Sequence, residues 1–151
     1  IAQREMDETA DKPGARTAAL MADLDKFKHV NDTFGHLAGD LVLIQFARIL
    51  TSSVGPADTV ARLGGDEFVI LLSGADGERA TAVASIIRQQ MRAWTQQSET
   101  AAKLDVSIGV ALWTPDIGGD LDTLLREADD AMYKEKESKR AQTAVAGPGP
   151  E

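Results

Sequence analysis

The stretch that most restricts the fold of this chain is Thr17 to Leu24 (TAALMADL), apolar at nearly every position with Asp23 near its end. Too short for a core helix and lacking polar alternation, it predicts a strand buried on both faces. Glu67 to Leu72 (EFVILL) has the same character, and the two read as central strands. Thr59 to Leu63 (TVARL) predicts the first arm of a hairpin whose second arm starts at Glu67, with Gly64 and Gly65 turning the chain and the tip spanning Gly64 to Glu67. From Leu104 to Leu112 the pattern alternates strictly. Leu104, Val106, Ile108, Val110 and Leu112 share one face, and Lys103, Asp105, Ser107 and Gly109 the other, so this strand is expected to be covered on one side only.

Helical spacing recurs in three places: Val42, Phe46, Ile49 and Leu50; Ala80, Val83, Ala84, Ile87 and Met91; and Leu121, Leu124, Leu125, Ala128 and Met132. Each apolar stripe suits a helix lying on a sheet. The expected order is helix, strand, two helices, strand, strand, helix, strand, helix, an α+β arrangement with a hairpin and not a doubly wound α/β sheet. There is no internal repeat and no glycine-rich phosphate loop of the GxxxxGK[ST] or GxGxxG kind.

The 151 residues, 43% of them apolar, suffice for the core of one domain. Sixteen Lys and Arg against 24 Asp and Glu leave a net charge of −8, with no basic run, which speaks against a nucleic-acid surface. A small anion bridged by metal remains compatible. With no cysteine, zinc–thiolate sites, disulfides and thiol nucleophiles are excluded. No apolar stretch approaches the roughly 18 residues of a membrane span, and IAQREMDETADKPG at the start has neither the basic nor the apolar part of a signal peptide. Direct membrane contact from this segment is not expected. The chain starts at Ile1 in what reads as the interior of a helix, so a longer protein with an N-terminal sensory or dimerisation region is expected. Residues 1–140 read as one N-terminally truncated domain, and 141–151 (AQTAVAGPGPE) as a disordered tail or linker.

Three clusters carry chemistry. In the first, Asp23-Leu24-Asp25-Lys26-Phe27-Lys28-His29-Val30-Asn31-Asp32, a buried strand delivers a carboxylate at its end, where sheets of this kind place ligands. In the second, Arg62-Leu63-Gly64-Gly65-Asp66-Glu67-Phe68, two glycines precede two acids at a hairpin tip. The third, Asp129 to Lys136 and on to Lys139 and Arg140, is a helix gathering cations in its last turns. Each has a plainer reading taken singly: Asp23 as a strand-end cap, Gly64-Gly65-Asp66 as an ordinary turn, the cations as a solvated helix end. Gly118-Gly119-Asp120 also reads GGD, but it precedes an amphipathic helix, so Asp120 reads as an N-cap. His29 and His36 have no partner at zinc-ligand spacing.

Together the clusters resemble the GGDEF family of diguanylate cyclases, with its pattern DxDxFKxxNDxxGHxxGD followed by GGDEF. This chain has Asp23, Asp25, Phe27, Lys28, Asn31, Asp32, Gly35, His36, Gly39 and Asp40, then Gly64, Gly65, Asp66, Glu67 and Phe68. The resemblance runs from about Thr17 to Arg140, through VSIGVA and ADDAMYKEK. It implies a central mixed sheet flanked by helices, like a polymerase palm or nucleotidyl cyclase, carrying the GGDEF β-hairpin, in a domain located in the cytoplasm.

The reaction the resemblance implies is condensation of two GTP into cyclic di-GMP with release of two pyrophosphates. Asp23, the Leu24 carbonyl, Asp66 and Glu67 are the implied ligands of Mg²⁺ or Mn²⁺, which all-oxygen donors favour over zinc. Asp66 is the family's proposed general base; Glu67 can share either duty, and the sequence does not separate them. Lys28 matches the stabiliser of transition-state charge, and Lys136 and Arg140 match outer phosphate ligands. Asn31 and Asp40 match the readers of guanine, with His36 lining the same pocket, which implies selectivity for GTP over ATP. One chain has one set of these residues and the product needs two nucleotides, so a transient homodimer is implied.

Two family features are missing. The inhibitory RxxD site, five residues before GGDEF, falls here on Gly55 and Asp58, so product feedback is expected to be weak. The DxLTxLxNR segment ahead of the first strand is also missing, in keeping with truncation. The alternative functions are a catalytically silent GTP-binding regulatory module, and a cyclic dinucleotide receptor, against which Gly55 speaks.

Overall fold

A computed structural model describes residues 16–146 of the chain. The expected leading helix and the start of the chain lie outside the described residues. The elements run β1 (Thr17–Asp25), α1 (Phe27–Phe34), α2 (His36–Ser52), β2 (Thr59–Gly64), β3 (Glu67–Ser73), α3 (Gly77–Gln97), β4 (Asp105–Trp113) and α4 (Leu121–Ala146). They form a four-stranded sheet in the order β2-β3-β1-β4, flanked by helices.

The three strand pairings are antiparallel, where a mixed sheet was expected. The hairpin explains the difference. Its second arm, β3, inserts beside β1, so β2, which the helical crossover from β1 would have brought back parallel, stays on the outside. The apolar run of β1 is central as expected, and its Thr17 to Leu24 are all buried.

Alternation along β1 divides the core into two layers. Ala18, Leu20, Ala22 and Leu24 face Phe46 and Leu50 of α2 and Ile87 of α3, with the rings of Phe46 and Phe68 meeting edge to face at 5.2 Å. Ala19 and Met21 join Val69, Leu71, Ala111 and Trp113 beneath Leu124, Ala128 and Met132 of α4. The expected N-cap at Asp120 forms, its Oδ1 accepting from the Thr123 amide at 2.9 Å, and Asp76 caps α3 in the same way, accepting from the Arg79 amide at 2.9 Å.

The expectation for β4 is corrected. Its second face is covered, with Ser107 and Gly109 buried, while Leu112 near the end of the supposed core face is exposed. The cause is Gly109. The backbone of α4 at Ala128 to Met132 lies so close that any Cβ at this position would overlap it. A helix seated that tightly closes the face that alternation alone left open.

The last helix, α4, continues through Ala146 into the segment read as a tail. Ala and Gln propagate a helix that is already nucleated, and the first breaker, Gly147, comes only after it. Residues 147–151 lie outside the described residues. No helix among the described residues is long and apolar enough to cross a membrane.

Candidate active site

Register brings the first two clusters together. Asp23 of β1 lies opposite Glu67 of β3, and the Leu24 amide donates to the Asp66 carbonyl at 3.4 Å. The hairpin tip is thereby folded against the end of β1. Gly64 and Gly65 both take positive φ, 152° and 52°, at this tip, a conformation that side chains resist. Arg62 Nε donates to the Gly65 carbonyl at 2.9 Å and braces the turn from below. A residue in a strand directs its amide and carbonyl to the same side, so the Leu24 carbonyl also faces the hairpin.

The third cluster arrives from α4. Lys136 Nζ lies 2.7 Å from Asp23 Oδ2 and 3.5 Å from Asp25 Oδ1. Asp23 Oδ1 is buried and has no hydrogen-bond partner among the described residues. Burial pushes the Asp23 carboxyl up to about 6, and the charge of Asp66 adds to this, against the pull of Lys136. Glu67 is raised as well, by burial first and then by Asp129 and Asp23. Lys136 is raised despite its burial, because Asp23, Asp25 and Asp66 all favour its charged form.

The site thus holds more negative charge than its lysine balances, and one buried carboxylate oxygen is left over. Asp23, the Leu24 carbonyl and Asp66 fit a hard divalent cation that takes its remaining ligands from water or phosphate, as Mg²⁺ does. Among the described residues no three carboxylate or imidazole side chains converge into a complete cage, so such an ion would depend on its nucleotide.

Of the remaining expected site residues, Lys28, Asn31, His36 and Asp40 sit on the α1–α2 corner. Lys26, at φ 68°, turns the chain out of β1 directly into α1. Lys28 is exposed on the first turn of that helix, and His36 and Asp40 are exposed one turn apart at the start of α2. Asn31 is half-buried, and a Cβ at Gly39 would overlap its Oδ1. Gly39 therefore admits the amide into the crossing of the two helices. Arg140 is exposed near the end of α4. Lys28, His36, Asp40 and Arg140 make no ion pair among the described residues.

Sequence reasoning did not single out Ser107, assigned to an open face, nor the partners of Lys139. Asp58, at the position of the missing inhibitory motif, is also engaged. Its carboxylate pairs with Arg79 and accepts from the amides of Gly55 at 2.8 Å and Ser73 at 3.0 Å.

Residues 2–142 match the family model described as diguanylate cyclase, GGDEF domain. The chain is 41% identical over 125 residues to the bifunctional diguanylate cyclase/cyclic di-GMP phosphodiesterase MucR of Pseudomonas aeruginosa, covering 83% of this chain and 18% of that protein. It is 36% identical over 128 residues to diguanylate cyclase A of Treponema denticola, covering 84% of this chain and 34% of that protein. The chain thus spans well under half of the length of these relatives. Among solved structures it is similar to the GGDEF domain of TpbB from Pseudomonas aeruginosa, with a TM-score of 0.74 and 34% identity over 90% of this chain and 84% of that one. It is also similar to the GGDEF domain of DgcB from Caulobacter crescentus in complex with c-di-GMP, with a TM-score of 0.79 and 26% identity over 90% of this chain and 80% of that one.

Proposed function

The chain belongs to the GGDEF domain family of diguanylate cyclases, and on that premise we propose that it condenses two GTP into cyclic di-GMP across a transient homodimer. The observation that carries this reading is the buried, unpartnered Asp23 Oδ1 beside Asp66 at the hairpin tip. Asp23, the Leu24 carbonyl and Asp66, with Glu67 alongside, would hold Mg²⁺ or Mn²⁺. When bound, that ion supplies neutralisation of the triphosphate and acidification of the attacking hydroxyl.

The protein's own residues do the rest. Asn31 and Asp40 bind guanine through its amide and its N1–H and N2–H₂ donors, with His36 beside them. Lys136 leaves Asp23 for the outer phosphates, joined by Arg140. Lys28 stabilises charge on the transferred phosphoryl group. Asp66 or Glu67 accepts the proton of the 3′-hydroxyl as its oxygen bonds to the α-phosphorus of the other nucleotide. The bond from that phosphorus to the β-phosphate oxygen breaks, and pyrophosphate leaves. Two such transfers close the ring.

One set of residues per chain requires two chains face to face, and a net charge of −8 opposes their encounter. A dimerising region in a longer protein would offset that repulsion. GTP as substrate places the domain in the cytoplasm. The test is pyrophosphate release from GTP and Mg²⁺ by the chain fused to a dimerising coiled coil, against its Asp66→Asn variant. Release by the parent and loss of about 100-fold or more in the variant is expected. A dimerised parent that binds GTP but releases no pyrophosphate overturns the cyclase and leaves a GTP-binding regulatory module.

A further inference from the structure

Behind Asp23 and Lys136 lies a second ion pair. Lys139 Nζ reaches Asp25 Oδ2 at 2.7 Å and the Val106 carbonyl at 2.7 Å, with Asp105 Oδ2 at 3.1 Å and Ser107 Oγ at 3.2 Å. Ser107, fully buried, donates to Asp25 as well. From contact to contact the charges alternate in sign, Asp23, Lys136, Asp25, Lys139, and Glu135 Oε1 also lies 3.6 Å from Lys139 Nζ. Asp25 is the hinge of that series, since its Oδ1 faces Lys136 at 3.5 Å while its Oδ2 is taken by Lys139.

This order has a consequence for Lys136. In the free chain its main partner is Asp23, at 2.7 Å. With Asp23 holding a cation, Lys136 would lose this partner, and Asp25, whose Oδ1 lies 3.5 Å away, would be its other acid. An Asp25 without a counter-charge would capture Lys136 at the back of the site, away from the triphosphate. Lys139 supplies that counter-charge, and through the Val106 carbonyl it is anchored to β4 and not to the nucleotide side.

We propose that Lys139 is a positioning residue that neutralises Asp25 and so leaves Lys136 free to engage the triphosphate. This rests on the GTP-binding reading above. Lys139 itself touches no phosphate and no reacting atom; its effect passes entirely through Lys136. The anchor is rigid because α4 is seated on β4 by the close approach at Gly109, four residues from Asp105 on the same strand.

The test is calorimetric titration with 3′-deoxy-GTP and Mg²⁺, a nucleotide that binds without cyclising. Lys139→Met is expected to weaken binding about tenfold, the scale of one charge-assisted contact. In a Lys136→Met background the same change is expected to do nothing further, because the residue through which it acts is gone. Asp25→Asn together with Lys139→Met removes both partly buried charges as a pair, leaving neither without its partner, and is expected to return affinity to near the parent value. Equal weakening by Lys139→Met with and without Lys136, or a double variant no tighter than Lys139→Met alone, overturns the proposal. A parent that binds 3′-deoxy-GTP while Lys139→Met binds it equally well overturns this inference only. A parent that binds no guanine nucleotide overturns it together with the proposed function.

Discussion

Lys136 Nζ and Asp23 Oδ2 stand 2.7 Å apart although they come from the last helix and the first strand of the described chain. Three features make that contact: the end of β1, the hairpin tip beside it, and a helix held at a fixed height above β4. The height is set by a glycine. Where β4 meets α4, Gly109 lies against backbone atoms of Ala128, Ala131 and Met132, none of which can rotate away.

Gly109→Ala is therefore expected to destabilise the fold by about 3 kcal/mol, as overpacking against main chain does. A guanidinium chloride midpoint measures this. The same variant should lose cyclase activity beyond what its folded fraction explains, because lifting α4 moves Lys136 off the site. Unchanged midpoint and activity would show that the helix accommodates a methyl group there.

Asp40, exposed one turn beyond His36, is expected to select the base. For the parent, turnover of GTP should exceed that of ATP by about 100-fold or more, since adenine would leave polar partners unpaired. Asp40→Ala should narrow the ratio chiefly by slowing GTP, and comparable parent rates for the two nucleotides would refute the assignment.

Asp58 is tied into the loop and not presented to solvent, its side chain being 2% exposed. Burial acts to raise its carboxyl, but the Arg79 guanidinium and the amides of Gly55 and Ser73 hold it below its ordinary value. A carboxyl lowered on folding stabilises the native state above the unfolded value near 3.8 and loses that contribution as pH falls through its folded value. Asp58→Ala is expected to cost about 2 kcal/mol at pH 7, read from the denaturation midpoint, and progressively less under acid. With its carboxylate engaged and Gly55 in place of an arginine, cyclic di-GMP titrated into the parent should give no tight binding that Asp58→Ala abolishes.

Much of the architecture was legible because it follows from short-range patterns. The apolar runs at Thr17 and Glu67, the glycine pair at 64 and 65, and the stripe from Val42 to Leu50 each impose a local geometry whatever surrounds them. Asp23 and Asp66 could be singled out on the same kind of signal, since Asp23 stands near the end of a buried strand and Asp66 lies in a glycine turn. The antiparallel placement of β3 beside β1 was not, because strand order is a choice among packings of identical local elements. The covered face of β4 was not either, since an alternating pattern records side-chain polarity and not how closely a helix backbone approaches a glycine.

By its sequence alone the chain determined which elements form and which residue types stand at their ends. Only the tertiary structure decided charge balance: that Asp23 keeps an unpartnered oxygen, that Lys136 stands between two acids, and that Lys139 neutralises the second of them. Periodicity is encoded within a few residues, whereas the field at a carboxylate depends on burial and on charges more than a hundred positions away, and those meet only when the helix closes on the sheet.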